Sequence, residues 1–301
     1  MIQPQNLQAG DIIGIVCPAG ALPIERVQQC VEILTSWGYQ VRLGKTVGGK
    51  YFTYSGTDAE RTQDLQEMLD DPQVKAVLCG RGGYGLSRII DEIDFTRFKA
   101  SPKWVIGFSD ITILHAALQK QGYMSIHGPM AAAFNKGPQG EPYIQAMKDL
   151  LVGGKTIYTA QTHPLNQIGV ATAPMIGGNL CIITHLIGSL NSLDTRGKIL
   201  FIEDIGEFHY NLDRMVLQMK KAGLFSHLAG LVVGGFSEMR DTPDDIGASA
   251  FEILKAHTQE FGYPICFDFP ISHALANYPI IEGAMYKLNV NEQQVSLETL
   301  V

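Results

Sequence analysis

The chain lacks a long hydrophobic run, a basic cluster and a paired-cysteine motif, and each absence removes a class of function. No segment approaches the roughly 18 uninterrupted apolar residues of a membrane span. The first apolar run, Ile12 to Val16, contains Gly14, follows no basic leader and is too short for a signal peptide. Charged residues make up only 18%, and 23 basic against 30 acidic side chains leave a formal charge of −7. No Lys/Arg run is present to meet nucleic acid or an anionic membrane. The five cysteines (Cys17, Cys30, Cys79, Cys181 and Cys266) stand far apart without C-x-x-C spacing, as expected of reduced thiols in a cytoplasmic protein. Neither H-E-x-x-H, nor a Cys/His cluster, nor an acidic calcium loop occurs, so no metal or cofactor is expected.

What is present is 46% hydrophobic residues over 301 positions, enough for two domains with real cores. In the first half, "DIIGIVCPA", "YQVRL", "VKAVLC" and "KWVIGF" read as strands. Between them, "IERVQQCVEILTSWG", "TDAERTQDLQEMLDD" and "DITILHAALQKQG" read as helices with apolar stripes. Alternation of near-continuously apolar strands with helices predicts a parallel sheet with helices on both faces over residues 1–150. Residues 151–301 mix types and predict an α+β domain. "KILFIED" and "GLVVGG" are strands, "YNLDRMVLQMKKAG" is a helix with a core stripe, and "AMYKLNV" and "QVSLETL" form a closing hairpin.

Ligands of open parallel sheets bind at the carboxyl ends of strands. Two loops of the first domain qualify. "GRGGYG" (Gly80–Gly85) lets backbone approach a ligand, but it lacks the G-x-G-x-x-G spacing and the P-loop lysine, so a plain tight turn competes. "GFSD" places Ser109 and Asp110 where a strand runs into a helix. Gly107 matches the first glycine of G-x-S-x-G, yet Ile111 stands at the second. Ser109 is therefore either a nucleophile or, with Asp110, a helix cap.

A serine nucleophile needs a base and an orienting acid. His115 and His185 lie in apolar helical patterns, and His209, His227 and His257 in polar surroundings. His127, ending a strand in "IHGPM", and His273, in the loop "FDFPISHALANYP", are the candidate bases. Glu203-Asp204 ends the apolar strand "ILFIED", an odd place for two carboxylates without partners; a cap for the helix at "YNLDRM" is the competing explanation.

Taken in order, "CPAG", "GRGGYG", "GFSD", "HGPM", "GGN", "LFIEDIGE", "LDRM" and the late "SH" closely resemble the LD-carboxypeptidase family of serine peptidases, from about Asp11 to Lys287. That family includes muramoyltetrapeptide carboxypeptidases and microcin C immunity peptidases. The resemblance implies a triad of Ser109, His273 and Glu203, with an oxyanion hole from the N–H groups of Asp110 and Gly83. An exopeptidase must hold the substrate's terminal carboxylate, and Arg81, beside the glycine loop, is a candidate for that partner; Asn179 is a second candidate substrate-binding residue. One departure is Ser272, where the family has glycine before the histidine. The implied function is a cytoplasmic, cofactor-free carboxypeptidase of peptidoglycan recycling that takes D-alanine from murein tetrapeptides, as a homodimer whose site lies between the domains. An immunity-type amidase acting on acyl-adenylate-like peptides, or a silent anion- or nucleotide-binding module, are the alternatives.

Overall fold

Runs rich in Ile and Val become strands, and the periodic stretches between them become helices, in the computed structural model, which describes residues 1–300. The first ten elements are β1 (Ile12–Val16), α1 (Glu25–Ser36), β2 (Gln40–Leu43), α2 (Asp58–Asp70), β3 (Val74–Cys79), α3 (Thr96–Ala100), β4 (Trp104–Gly107), α4 (Thr112–Lys120), β5 (Ser125–His127) and α5 (Glu141–Leu151). There follow β6 (Ile157–Ala160), β7 (Gly169–Asn179), α6 (Leu180–His185), β8 (Ile199–Ile205), α7 (His209–Lys221), β9 (Gly230–Ser237) and α8 (Ala250–Thr258). The last strands are β10 (Ile265–Cys266), β11 (Ile280–Glu282), β12 (Met285–Val290) and β13 (Val295–Thr299). Among the described residues no helix is long and apolar enough to cross a membrane.

One unit comprises Met1–Gly154 and the short segment Pro279–Glu282. Its sheet has the order β11-β5-β4-β3-β1-β2, parallel from β2 to β5, with β11 antiparallel at one edge. β11 is three residues long, too short to carry a periodic signal in the sequence.

Helix α2 shows how the loops at the carboxyl ends of the strands are held. Thr57 and Glu60 form a reciprocal capping box at its start. Its inner face carries Leu65, Met68 and Leu69, and also two buried charges, Arg61 and Asp64. Arg61 Nη1 donates to the carbonyls of Pro18 (2.7 Å) and Gly85 (2.9 Å), and Nη2 donates to Asp58. The Asp64 carboxylate accepts from the N–H groups of Lys45 and Thr46, at 2.9 Å each, and Thr46 Oγ1 in turn accepts from Cys17 N–H. One helix thus ties together the loops that follow β1, β2 and β3.

Helix α4 is buried almost throughout, so its His115 has no solvent contact. The ring is held between Ser125 Oγ (2.8 Å) and the Gly107 carbonyl (2.9 Å). Burial pushes its pKa down to about 4.

The second unit comprises Lys155–Tyr278 and the described chain from Gly283. Its sheet has the order β10-β9-β8-β7-β12-β13-β6. The strands from β7 to β10 run parallel, while β7, β12, β13 and β6 pair antiparallel. The α7 stripe of Leu212, Met215, Val216 and Met219 packs into one apolar cluster with Leu200 and Ile202 of β8, Val233 of β9 and Leu254 of α8. The predicted α/β class is observed, with one correction: both sheets are mixed, because β11, from residues 280–282, adds an antiparallel edge to the otherwise parallel first sheet.

Two outcomes follow from these buried polar groups. Arg61→Met should lower stability by about 2–4 kcal/mol in urea unfolding, because it strands the Pro18 carbonyl and leaves the loops untied. His115 titrates near 6.5 when unfolded and near 4 when folded. The folded chain therefore binds fewer protons in that window, and stability is full above it and falls as pH drops through it. Linkage puts the loss at up to about 3 kcal/mol. His115→Gln should flatten this acid limb when unfolding is compared at pH 7 and pH 4.5.

Candidate active site

In the first unit, β4 ends at Gly107 and Ser109 opens a short 3-10 turn that leads into α4. Ser109 has φ +66°, one of four non-glycine residues in the left-handed region among those described. Such a backbone costs about 1–3 kcal/mol and persists only where its surroundings impose it. The capping alternative does not describe this serine. The residue before the turn is Phe108 and the one before α4 is Ile111, and neither caps through its side chain. Ser109 is instead inside the turn, which is the geometry of a strand-to-helix elbow. Ile111 explains the missing second glycine. Its side chain occupies the space over Gly107, where an added Cβ would come within 2.9 Å.

The glycine loop lies directly against this elbow. A Cβ at Gly82 would come 2.8 Å from Ser109 Cβ, 3.0 Å from its Oγ and 3.3 Å from the Asp110 nitrogen. Gly83 takes φ +110°, a turn that glycine alone adopts without strain. The two glycines thus have separate jobs, close approach and turning. The family resemblance points to Gly83, and the contact of Gly82 with Ser109 has no signal in the sequence beyond its place in the R-G-G run. Asp110 is buried, and its Oδ2 accepts from the Leu86 N–H at 2.9 Å, which fastens the far end of the loop to the elbow. At the near end, Gly20 of "CPAG" donates its N–H to the Gly82 carbonyl at 3.0 Å. Arg81 is exposed, with Nη1 3.2 Å from the Ala21 carbonyl. His127 is fully buried at the end of β5. It is the register partner of Gly107, and its ring lies 5.8 Å from that of Phe108.

In the second unit the paired carboxylates of β8 separate, because alternate strand residues face opposite sides. Glu203 is fully buried and its Oε2 lies 2.5 Å from His273 Nδ1. A carboxylate can only accept, so Nδ1 carries the proton and Nε2 is left as the basic nitrogen. Asp204 serves the other side. Its carboxylate accepts from Asn179 Nδ2 (2.8 Å) and from the N–H groups of Cys181 and Ile205 (2.9 Å each). Burial, and then the neighbouring Glu203 charge, raise the Asp204 pKa to about 6. Asn179 Oδ1 caps α6 by accepting from Ile182 N–H, so both ends of this amide have partners within the unit. The acid pair does not cap α7, which starts after Phe208 without a side-chain cap.

The loop carrying His273 is fixed by two glycines of β9. A Cβ at Gly234 would fall 2.2 Å from the Ile271 carbonyl oxygen, and one at Gly235 2.6 Å from Ser272 Cβ. Gly235 N–H donates to the Ile271 carbonyl at 2.9 Å. Ser272 is not in the left-handed region, so glycine is not required there. Its hydroxyl donates to the Ala276 carbonyl (2.8 Å) and accepts from Ala274 N–H (3.1 Å), closing the loop on either side of the histidine. Among the other histidines, His209 lies 3.0 Å from Asp241 and His257 2.8 Å from Asp213, pairings remote in sequence from the triad candidates.

This elbow and this Glu–His pair fall within two family matches. Residues 13–128 match the LD-carboxypeptidase N-terminal domain, and residues 172–288 match the LD-carboxypeptidase C-terminal domain. A probable murein peptide carboxypeptidase of Bacillus subtilis is 35% identical over 300 residues, covering 98% of this chain and 94% of the relative. The crystal structure of a muramoyltetrapeptide carboxypeptidase from Oxalobacter formigenes superposes with a TM-score of 0.87 at 28% identity, covering 96% of this chain and 98% of the other. The microcin C7 self-immunity protein MccF, in complex with aspartyl sulfamoyl adenosine, also gives 0.87, over 99% and 98% of the two chains. At 22% identity that last likeness is one of fold. With both domain patterns matched and a relative alike over nearly its whole length, the chain belongs to the LD-carboxypeptidase family of serine peptidases.

Proposed function

We propose that the protein is a cytoplasmic carboxypeptidase that releases the terminal D-alanine of murein tetrapeptides, with Ser109 as nucleophile, His273 as base and Glu203 as its orienting acid. The observation that carries this reading is the left-handed backbone of Ser109 at the end of β4, with Gly82 packed against its hydroxyl. A structural serine has no need of that strain. The names of the relatives supply the substrate class, murein peptides and muramoyl tetrapeptides.

In this mechanism His273 Nε2 takes the Ser109 proton and the alkoxide attacks the carbonyl before D-alanine. The N–H groups of Asp110 and Gly83 receive the tetrahedral oxyanion. The imidazolium, its charge balanced by buried Glu203, returns the proton to the leaving amine, and water then cleaves the acyl-enzyme through the same base. An exopeptidase must also hold the substrate's terminal carboxylate, and the exposed Arg81 guanidinium beside the glycine loop is the group proposed for it. No metal or cofactor takes part in these steps.

Purified protein given a murein tetrapeptide should release D-alanine and leave the tripeptide, and the tetrapeptide amide should react poorly. Hydrolysis of an aminoacyl-sulfamoyl adenylate with no release of D-alanine would move the protein to the immunity-type amidases. Equal cleavage of acid and amide would remove the carboxypeptidase assignment.

The triad should fail as a unit. Ser109→Ala and His273→Ala should each lower kcat by about 10⁴–10⁶, with the double variant scarcely worse, and Glu203→Gln by about 10²–10⁴. Asp204→Asn and His127→Ala should stay within about tenfold once circular dichroism shows them folded. An inactive His127→Ala beside a working His273→Ala would place the base in the first unit and overturn the triad.

A further inference from the structure

We infer that His115 is a positioning residue for Ser109: its ring holds the Gly107 carbonyl, and through it the peptide that forces the serine into the elbow. The inference rests on the reading of Ser109 as nucleophile. It concerns a residue that never meets substrate, since His115 is fully buried on α4, six residues beyond the serine.

The geometry is specific. A carbonyl oxygen accepts, so the contact of 2.9 Å with Gly107 requires the proton on His115 Nε2. In the neutral ring Nδ1 is then an acceptor, and Ser125 Oγ, 2.8 Å away on β5, donates to it. Burial keeps the ring in this neutral form above its depressed pKa of about 4. The Gly107 carbonyl thus sets the tautomer, and the buried Ser125 hydroxyl, free to rotate, complements it by donating to Nδ1. The same Gly107 carbonyl also accepts from Gly128 N–H at 3.0 Å, so both of its lone-pair directions are used. Gly107 cannot relax sideways either, because Ile111 fills the space over its Cα.

Two residues further on, the strained backbone of Ser109 must be imposed from both ends. Asp110, through its bond to Leu86 N–H, secures the downstream side. The doubly bonded Gly107 carbonyl secures the upstream side, and His115 is the only side chain seen holding it among the described residues. Without the imidazole, Gly128 alone would hold that carbonyl, and the following peptide would be free to rotate toward an unstrained φ at Ser109. The chain would remain folded and the hydroxyl would be misplaced. Displacements of about 1 Å at a reacting group cost on the order of 10²-fold in rate.

The test reads the serine directly, through its rate of labelling by a fluorophosphonate, and then through peptide turnover. His115→Leu should label about 10²-fold more slowly, with kcat reduced in proportion and KM within about threefold. His115→Gln, whose amide places an N–H at similar reach, should recover at least tenfold of that loss. A purely structural histidine would show no such split and no such rescue. Ser125→Ala, a small change that should fold even if His115→Leu does not, should slow labelling about three- to tenfold by leaving Nδ1 without its donor and loosening the ring. Wild-type labelling rates in folded His115→Leu or Ser125→Ala would overturn the inference, as would a folded His115→Gln no faster than His115→Leu. Wild-type protein that labels at some residue other than Ser109 would instead defeat the nucleophile reading itself.

Discussion

Holding a serine at φ +66° between a buried strand and a helix is the demand around which the first unit is arranged. The strained residue has no glycine freedom of its own, so its neighbours supply the space and the restraint. Gly107 leaves room for Ile111, Gly82 leaves room for the hydroxyl, and Gly20 lets the "CPAG" loop reach the Gly82 carbonyl. Arg61 then ties that loop to Gly85 from below. The polar groups that do this are buried, where a lost partner costs more than it would at the surface.

The second unit solves a different problem, keeping a carboxylate beside an imidazole inside an apolar sheet. Glu203 ends a strand whose other residues are core, and a bare charge there would be prohibitive. His273 takes one of its oxygens, and the glycines of β9 bring the histidine loop close enough for that contact. The adjacent Asp204 suffers the same burial, and its pKa rises accordingly. Three N–H donors compensate it, two of them from Asn179 and Cys181 around the start of α6. Two neighbouring acids thus acquire different tasks because they face opposite sides of the strand and meet different partners there.

The parallel sheet was legible because its strands are continuously apolar, and the α2 cap because Thr57 and Glu60 stand at capping-box spacing. The Ser, Glu and His candidates were legible because each is a polar residue at the end of an apolar strand or in a tight loop. Gly82 was not separable from Gly83, since a run of glycines does not say which residue turns and which is approached. Ser272 read as a departure from the family, and its hydroxyl proves to brace the loop that glycine would leave slack. β11 was invisible for want of length.

By itself the sequence determined the family, the strand–helix alternation of the first half, and the short set of residues able to do acyl-transfer chemistry, because hydrophobic period and residue type are local properties. The family resemblance already named Glu203 over Asp204; the tertiary structure alone decided that Gly82 meets the serine, and that His115, read as a core residue of an apolar helix, grips the carbonyl two residues before Ser109. Those assignments depend on which atoms of distant segments come within hydrogen-bond reach, and the folded packing sets that distance where sequence spacing does not.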